Sequence, residues 1–174
     1  MLCMRAVLTI AGLSLLTGQA VADDVAIEVG IPRLDVAEYH RPYVALWIAN
    51  PDHSVVNNIA VWYQQGETGE GKGETWLKDI RQWWRRTGRE LAMPVDGVSG
   101  PTKAPGTHEI VLPTDKGAFA GLKPGEYQLV VEASREVGGR ELVSVPFTWP
   151  LKKDALSAAG ERELGKVTLR LAGN

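Results

Sequence analysis

Two short stretches of the chain hold residues whose types and spacing could do chemistry. The first is basic and crowded with indoles, running Trp76-Leu-Lys-Asp-Ile-Arg81-Gln-Trp83-Trp84-Arg85-Arg86 and ending near Gly88-Arg89. Adjacent helical residues point about 100° apart, so Trp83 and Trp84 cannot share one buried centre. An indole beside Arg81 and Arg85 could stack on a planar ligand whose phosphate the guanidinium groups neutralise. A plainer reading buries Trp76, Ile80 and Trp83 against a sheet and leaves the basic residues as a solvated face. The second stretch, Asp96-Gly97-Val98-Ser99-Gly100-Pro101-Thr102-Lys103, is a turn-rich loop carrying two hydroxyls.

Other signatures are missing. His40, His53 and His108 show no metal-ligand spacing such as H-x-x-x-H. The chain has no G-x-S-x-G, no P-loop and no G-x-G-x-x-G. Asp35 and Glu38 flank Tyr39-His40, an arrangement too common to assign a role. A formal net charge of −2 over 174 residues argues against nucleic acid as a partner. At 44% hydrophobic and 23% charged, the composition is globular, neither disordered nor membrane-embedded.

The elements that must position these stretches are mostly strands. Before them, Arg5, the apolar run Ala6–Leu16 and the small-x-small site Ala20-Val21-Ala22 read as a secretory signal peptide over 1–22. That run is too short to cross a bilayer, which needs about 20 apolar residues. The expected mature chain, 23–174, is a single domain that does not span a membrane. It keeps none of the cysteine, since Cys3 leaves with the signal, so it enters an oxidising compartment such as a periplasm without a thiol. Val25–Val29, Arg41–Ala49 and Val55–Tyr63 read as strands, the last two joined by the Asn50-Pro-Asp-His53 turn. On the second strand Tyr43, Ala45, Trp47 and Ala49 share one face, and Val44, Leu46 and Ile48 the other.

Gly66–Glu74 is expected to be a mobile loop. Trp76–Thr87 is expected to be one amphipathic helix, with Thr75 as N-cap and arginines at its C-terminal end. An irregular loop over 93–106 follows. Further strands are expected at Thr107–Leu112, Tyr127–Glu132, Glu141–Trp149 and Leu164–Leu171, with Gly138-Gly139 closing a hairpin. The expected fold is mainly β, an immunoglobulin- or fibronectin-like antiparallel β-sandwich with one inserted helix. Trp47, Trp62 and Trp149 fall on strands and are assigned to core.

The loop Asp96–Thr102 resembles the acceptor motif of proteins that carry covalent FMN, D-x-x-S/T-G-A-S/T. In those proteins a flavin transferase moves the FMN part of FAD onto the final hydroxyl as a phosphoester. The resemblance makes Thr102 the acceptor, with Asp96, Ser99 and Gly100 completing the motif. Lys103, Arg81 and Arg85 would balance the phosphate, and Trp84 or Trp83 would pack on the isoalloxazine. Gly97 and Gly100 would let the backbone bend toward a bulky enzyme. Pro101 departs from the motif, standing where alanine is usual, and it removes an N–H and restricts Gly100.

Over a wider span, four segments together resemble the domain-of-unknown-function family 2271 of predicted periplasmic proteins. They are Arg41–Ile48, Trp76–Arg85, Asp96–Gly106 and Pro124–Gly139. That resemblance implies the company of a periplasmic flavin transferase, a PepSY-type membrane reductase and TonB-dependent iron-uptake receptors. It implies extracytosolic electron transfer in iron acquisition, by a redox carrier more than a stand-alone enzyme. Two functions stand open: a periplasmic flavin carrier, and a cofactor-free β-sandwich binding or adaptor module whose tryptophans are core or interface anchors.

Overall fold

The computed structural model describes residues 24–68, 71–152 and 154–173. The expected signal peptide lies outside them. Among the described residues there are eleven strands: β1 (Val25–Ile31), β2 (Tyr43–Ala49), β3 (Val55–Tyr63), β4 (Glu67–Thr68), β5 (Gly71–Lys72) and β6 (Ser99–Pro101), followed by β7 (Gly106–Leu112), β8 (Gly125–Ser134), β9 (Arg140–Trp149), β10 (Leu156–Ala159) and β11 (Lys166–Leu171). They form a four-stranded sheet in the order β10-β11-β1-β7 and a five-stranded sheet in the order β6-β3-β2-β8-β9. The architecture is a mainly β sandwich. No helix among the described residues is long and apolar enough to cross a membrane.

Strand β2 shows why the larger sheet is covered on both sides. Its alternation sends Val44, Leu46 and Ile48 into the core between the sheets, where they meet Val25, Ile27 and Val29 of β1. Ala45, Trp47 and Ala49 face the opposite way and pack under the helical segment with Leu77, Ile80 and Trp83. A strand buried on both faces needs apolar residues at every position, and six of the seven residues of β2 are buried. The β2–β3 turn closes as expected: Asp52 Oδ1 accepts both the N–H and the hydroxyl of Ser54, at 2.9 and 2.6 Å.

The helical segment differs from the single helix expected over 76–87. It is a 3₁₀ helix over Gly73–Asp79, then the short helix α1 (Arg81–Arg86), with Ile80 at ψ 75° breaking the two apart. The difference has a geometric cause. In a 3₁₀ helix residues i and i+3 eclipse, so Leu77 and Ile80 point together into the core, both fully buried. Trp76 and Asp79 then share another face, which turns Trp76 out of the expected buried stripe and leaves it 44% exposed. Thr75 lies inside the 3₁₀ helix and caps nothing. The loop expected over 66–74 instead holds the β4–β5 ladder, pairing Glu67 with Lys72. Two further strands were not anticipated: β10, and β6, which pairs in parallel with β3 inside the stretch expected to be irregular.

Candidate functional site

A cavity of about 640 Å³ opens where three segments meet: the 3₁₀–α1 segment, the end of the Asp96–Thr102 loop, and the β8–β9 hairpin tip. Its lining includes Trp76, Asp79 and Arg81 from the first, Thr102 from the second, and Arg135, Glu136, Val137 and Arg140 from the third. Tyr39, His40 and Arg41, just before β2, close the remaining side.

The acceptor-like loop is built by its own backbone. Val98 N–H and Ser99 N–H both donate to the Val95 carbonyl, at 3.1 and 2.9 Å, while Val95 N–H donates to Ser99 Oγ at 2.9 Å. The turn carries Gly97 at φ 71°, a left-handed conformation that glycine adopts without a Cβ penalty. Ser99-Gly100-Pro101 then runs as β6 beside Val61-Trp62-Tyr63. Pro101 sits in an edge strand, where a missing N–H is tolerated. A Cβ on Gly100 would lie 3.4 Å from Trp62 Cδ1, an ordinary contact, so no bend requires that glycine.

The hairpin tip is built by charge. Arg135 donates through Nε and Nη2 to Glu163 at 2.8 and 3.1 Å, and both side chains are buried, at 6% and 4% exposure. Glu163 Oε1 also accepts Gly139 N–H at 2.8 Å. This explains Gly138-Gly139: a Cβ on Gly138 would fall 2.5 Å from Arg135 Cζ, and one on Gly139 would fall 2.8 Å from Glu163 Oε1. The Glu163 hydrogen bond raises the Arg135 pKa further above its ordinary value, against the effect of burial. The guanidinium also lies 6.0 Å from the Tyr39 ring centroid. Burial raises the Tyr39 pKa, and its hydroxyl is buried without a hydrogen-bond partner among the described residues.

Glu132 joins the tip to the helical segment. It is fully buried on β8 and accepts N–H from Gln82 (3.0 Å, Oε1) and Trp83 (2.8 Å, Oε2), and Arg140 Nη1 donates to Oε1 at 2.8 Å. Helix α1 has no cap of its own, so this distant carboxylate satisfies its first N–H groups.

Of the residues expected from the sequence to form a site, the cavity brings together Thr102 and Arg81. The others stand elsewhere. Trp83 is fully buried, with Nε1 donating to Asn58 Oδ1 at 2.9 Å, so it is core and not a flavin platform. Trp84 is partly buried against the same cluster and does not line the cavity. Arg85 is exposed and turns Nε back to the Arg81 carbonyl. Lys103 Nζ lies 5.4 Å from the Trp62 ring centroid. Asp96, Ser99 and Gly100 shape the loop without lining the cavity. The residues that sequence reasoning missed are Trp76, Arg41, Arg135, Arg140 and Glu132. A signal existed for three of them, because Arg135 and Arg140 flank the Gly-Gly turn and Arg41 stands just before β2.

The fold that carries this cavity is a mainly β, two-sheet sandwich, and four arginines line it beside Asp79 and Glu136. The chain belongs to the domain-of-unknown-function family 2271, described as a predicted periplasmic protein, which matches residues 24–166. No curated protein and no solved structure matches it.

Proposed function

We propose that this protein is an exported flavin carrier with FMN joined to Thr102, exchanging electrons with a PepSY-type membrane reductase in iron acquisition. The observation that carries the reading is the company of Thr102: its cavity also holds Arg41, Arg81, Arg140 and the exposed indole of Trp76. A volume of about 640 Å³ falls within the roughly 300–1,000 Å³ usual for small-molecule sites. Among the described residues neither Arg41 nor Arg81 has an ion pair, so both are available to an anion. The role expected of Trp84 or Trp83 passes to Trp76, the indole that lines the cavity.

In the attachment step Thr102 Oγ1 attacks the FMN-side phosphorus of FAD. The O–P bond forms as the pyrophosphate bond breaks, AMP leaves, and the hydroxyl proton is released. A flavin transferase supplies the catalysis and the export signal over 1–22 supplies the compartment. Once attached, the flavin provides one- and two-electron chemistry, while the chain orients it and balances its phosphate. The competing function, a cofactor-free binding module, draws support from Trp83, which serves as core.

Co-expression with an active periplasmic flavin transferase separates the two. The expected product is yellow and heavier by one FMN less water, and Thr102→Ala abolishes both changes. Unchanged mass, beside a control acceptor that the same transferase does modify, rejects the carrier and favours the binding module.

A further inference from the structure

We propose that the cavity contains a preformed phosphate subsite made by Arg81 and Arg140, with the buried carboxylate of Glu132 as its positioning residue. The identity of the phosphate rests on the flavin reading above, but the subsite acts before any covalent bond is made. One oxygen organises it. Glu132 Oε1 accepts both Arg140 Nη1 at 2.8 Å and the N–H of Gln82 at 3.0 Å. Gln82 directly follows Arg81, so a single atom anchors the strand that carries one cation and the helical turn that carries the other. Both cations line the cavity.

The burial of Glu132 explains why the arrangement is rigid. A buried carboxylate is costly unless it is paired and hydrogen-bonded, and this one, with no exposed surface, receives three donors. Arg140 keeps 39% of its side chain exposed. A guanidinium has five N–H donors in a fixed fork, so one nitrogen held by Glu132 leaves others for a ligand oxygen. Arg135 is less open to a ligand, since Glu163 holds it through both Nε and Nη2 and its side chain is buried. Of the two carboxylates in the lining, Glu136 faces His40 Nδ1 at 3.5 Å, and among the described residues neither it nor Asp79 forms an ion pair with Arg81 or Arg140. The ligand class that fits is a planar ring bearing a phosphate ester.

The test uses wild-type protein produced without a flavin transferase, titrated with FMN, with riboflavin and with inorganic phosphate, and read by flavin fluorescence polarisation. FMN is expected to bind about tenfold or more tighter than riboflavin, the scale of a charge-assisted contact. Inorganic phosphate should compete with FMN and leave riboflavin unaffected. Glu132→Gln should bring FMN down to the riboflavin affinity without changing riboflavin binding, a ratio that general loss of structure does not produce. Should that variant fail to fold, Arg140→Gln, at a half-exposed side chain, makes the same comparison. Equal affinities for the two flavins, no binding of either, or equal weakening of both in the variants overturns the proposal. If FMN preference stands while a transferase leaves Thr102 unmodified, the phosphoester fails and the subsite survives. The reverse outcome removes the subsite alone.

Discussion

The wall of the cavity that carries Thr102 and the wall that carries Arg135 and Arg140 are held by different forces. The first is held by backbone hydrogen bonds: a turn closed by Val95 and Ser99, and three residues paired in parallel with β3. The second is held by buried side-chain charge, with Glu163 holding Arg135 from 28 residues on and Glu132 linking Arg140 to α1. A turn presents a nucleophile to a modifying enzyme without burying charge. Fixing cations requires buried carboxylates behind them, and those can come only from tertiary structure. Variants should therefore fail in different ways on the two sides.

The largest effect is expected from Glu163→Ala. Removing the carboxylate leaves a buried guanidinium uncompensated and Gly139 N–H unpaired. Breaking a buried pair in this way costs about 3–5 kcal/mol, seen as a lower denaturant midpoint. Replacing both partners, as in Arg135→Met with Glu163→Leu, should recover much of that loss, because apolar pairs of similar volume are often neutral. Full loss in the double variant would mean that the tip depends on the Gly139 contact and not on the pair.

The two tryptophans at the ends of the helical segment sharpen the contrast. Trp84→Ala should cost about 1–2 kcal/mol, as expected for a partly buried ring, and leave the cavity unchanged. Trp76→Ala should stay within about 0.5 kcal/mol of wild type and alter ligand binding instead. Equal effects on stability would restore a continuous buried stripe. On the nucleophile wall, Ser99→Ala removes the oxygen that accepts Val95 N–H and should cost about 1 kcal/mol, read by thermal unfolding.

How much of this was legible follows the same division. The faces of β2, the Asn50–His53 turn and the Gly138-Gly139 hairpin follow from two-residue periodicity and turn chemistry, which are local. Thr102 and Arg81 come to the same cavity only through the packed structure. The rotation of Trp76 was not legible either, because a 3.6-residue and a 3.0-residue period differ little over so few residues. Glu132 and Glu163 look in sequence like ordinary charges on or near strands. Only the packed structure shows that one caps a helix and the other neutralises an arginine.

The smallest expected effect concerns Glu141, which secures the loop that carries Glu163. Burial opposes its ionisation, yet N–H groups of Glu161, Leu164, Arg162 and Glu163 donate to its carboxylate and hold its pKa below the ordinary value. A depressed carboxylate pKa means that the ionised form is bound more tightly in the folded state. Its contribution is therefore complete at neutral pH and lost as pH falls below the ordinary glutamate value of about 4.3 toward the folded pKa. Glu141→Gln should be less stable than wild type at pH 7, and the gap should close as pH falls through that window. Denaturant midpoints of the two proteins from pH 7 to pH 3 measure it. A gap that stays constant would show that the loop is held by shape alone, and the charge-built wall would then end at Glu163.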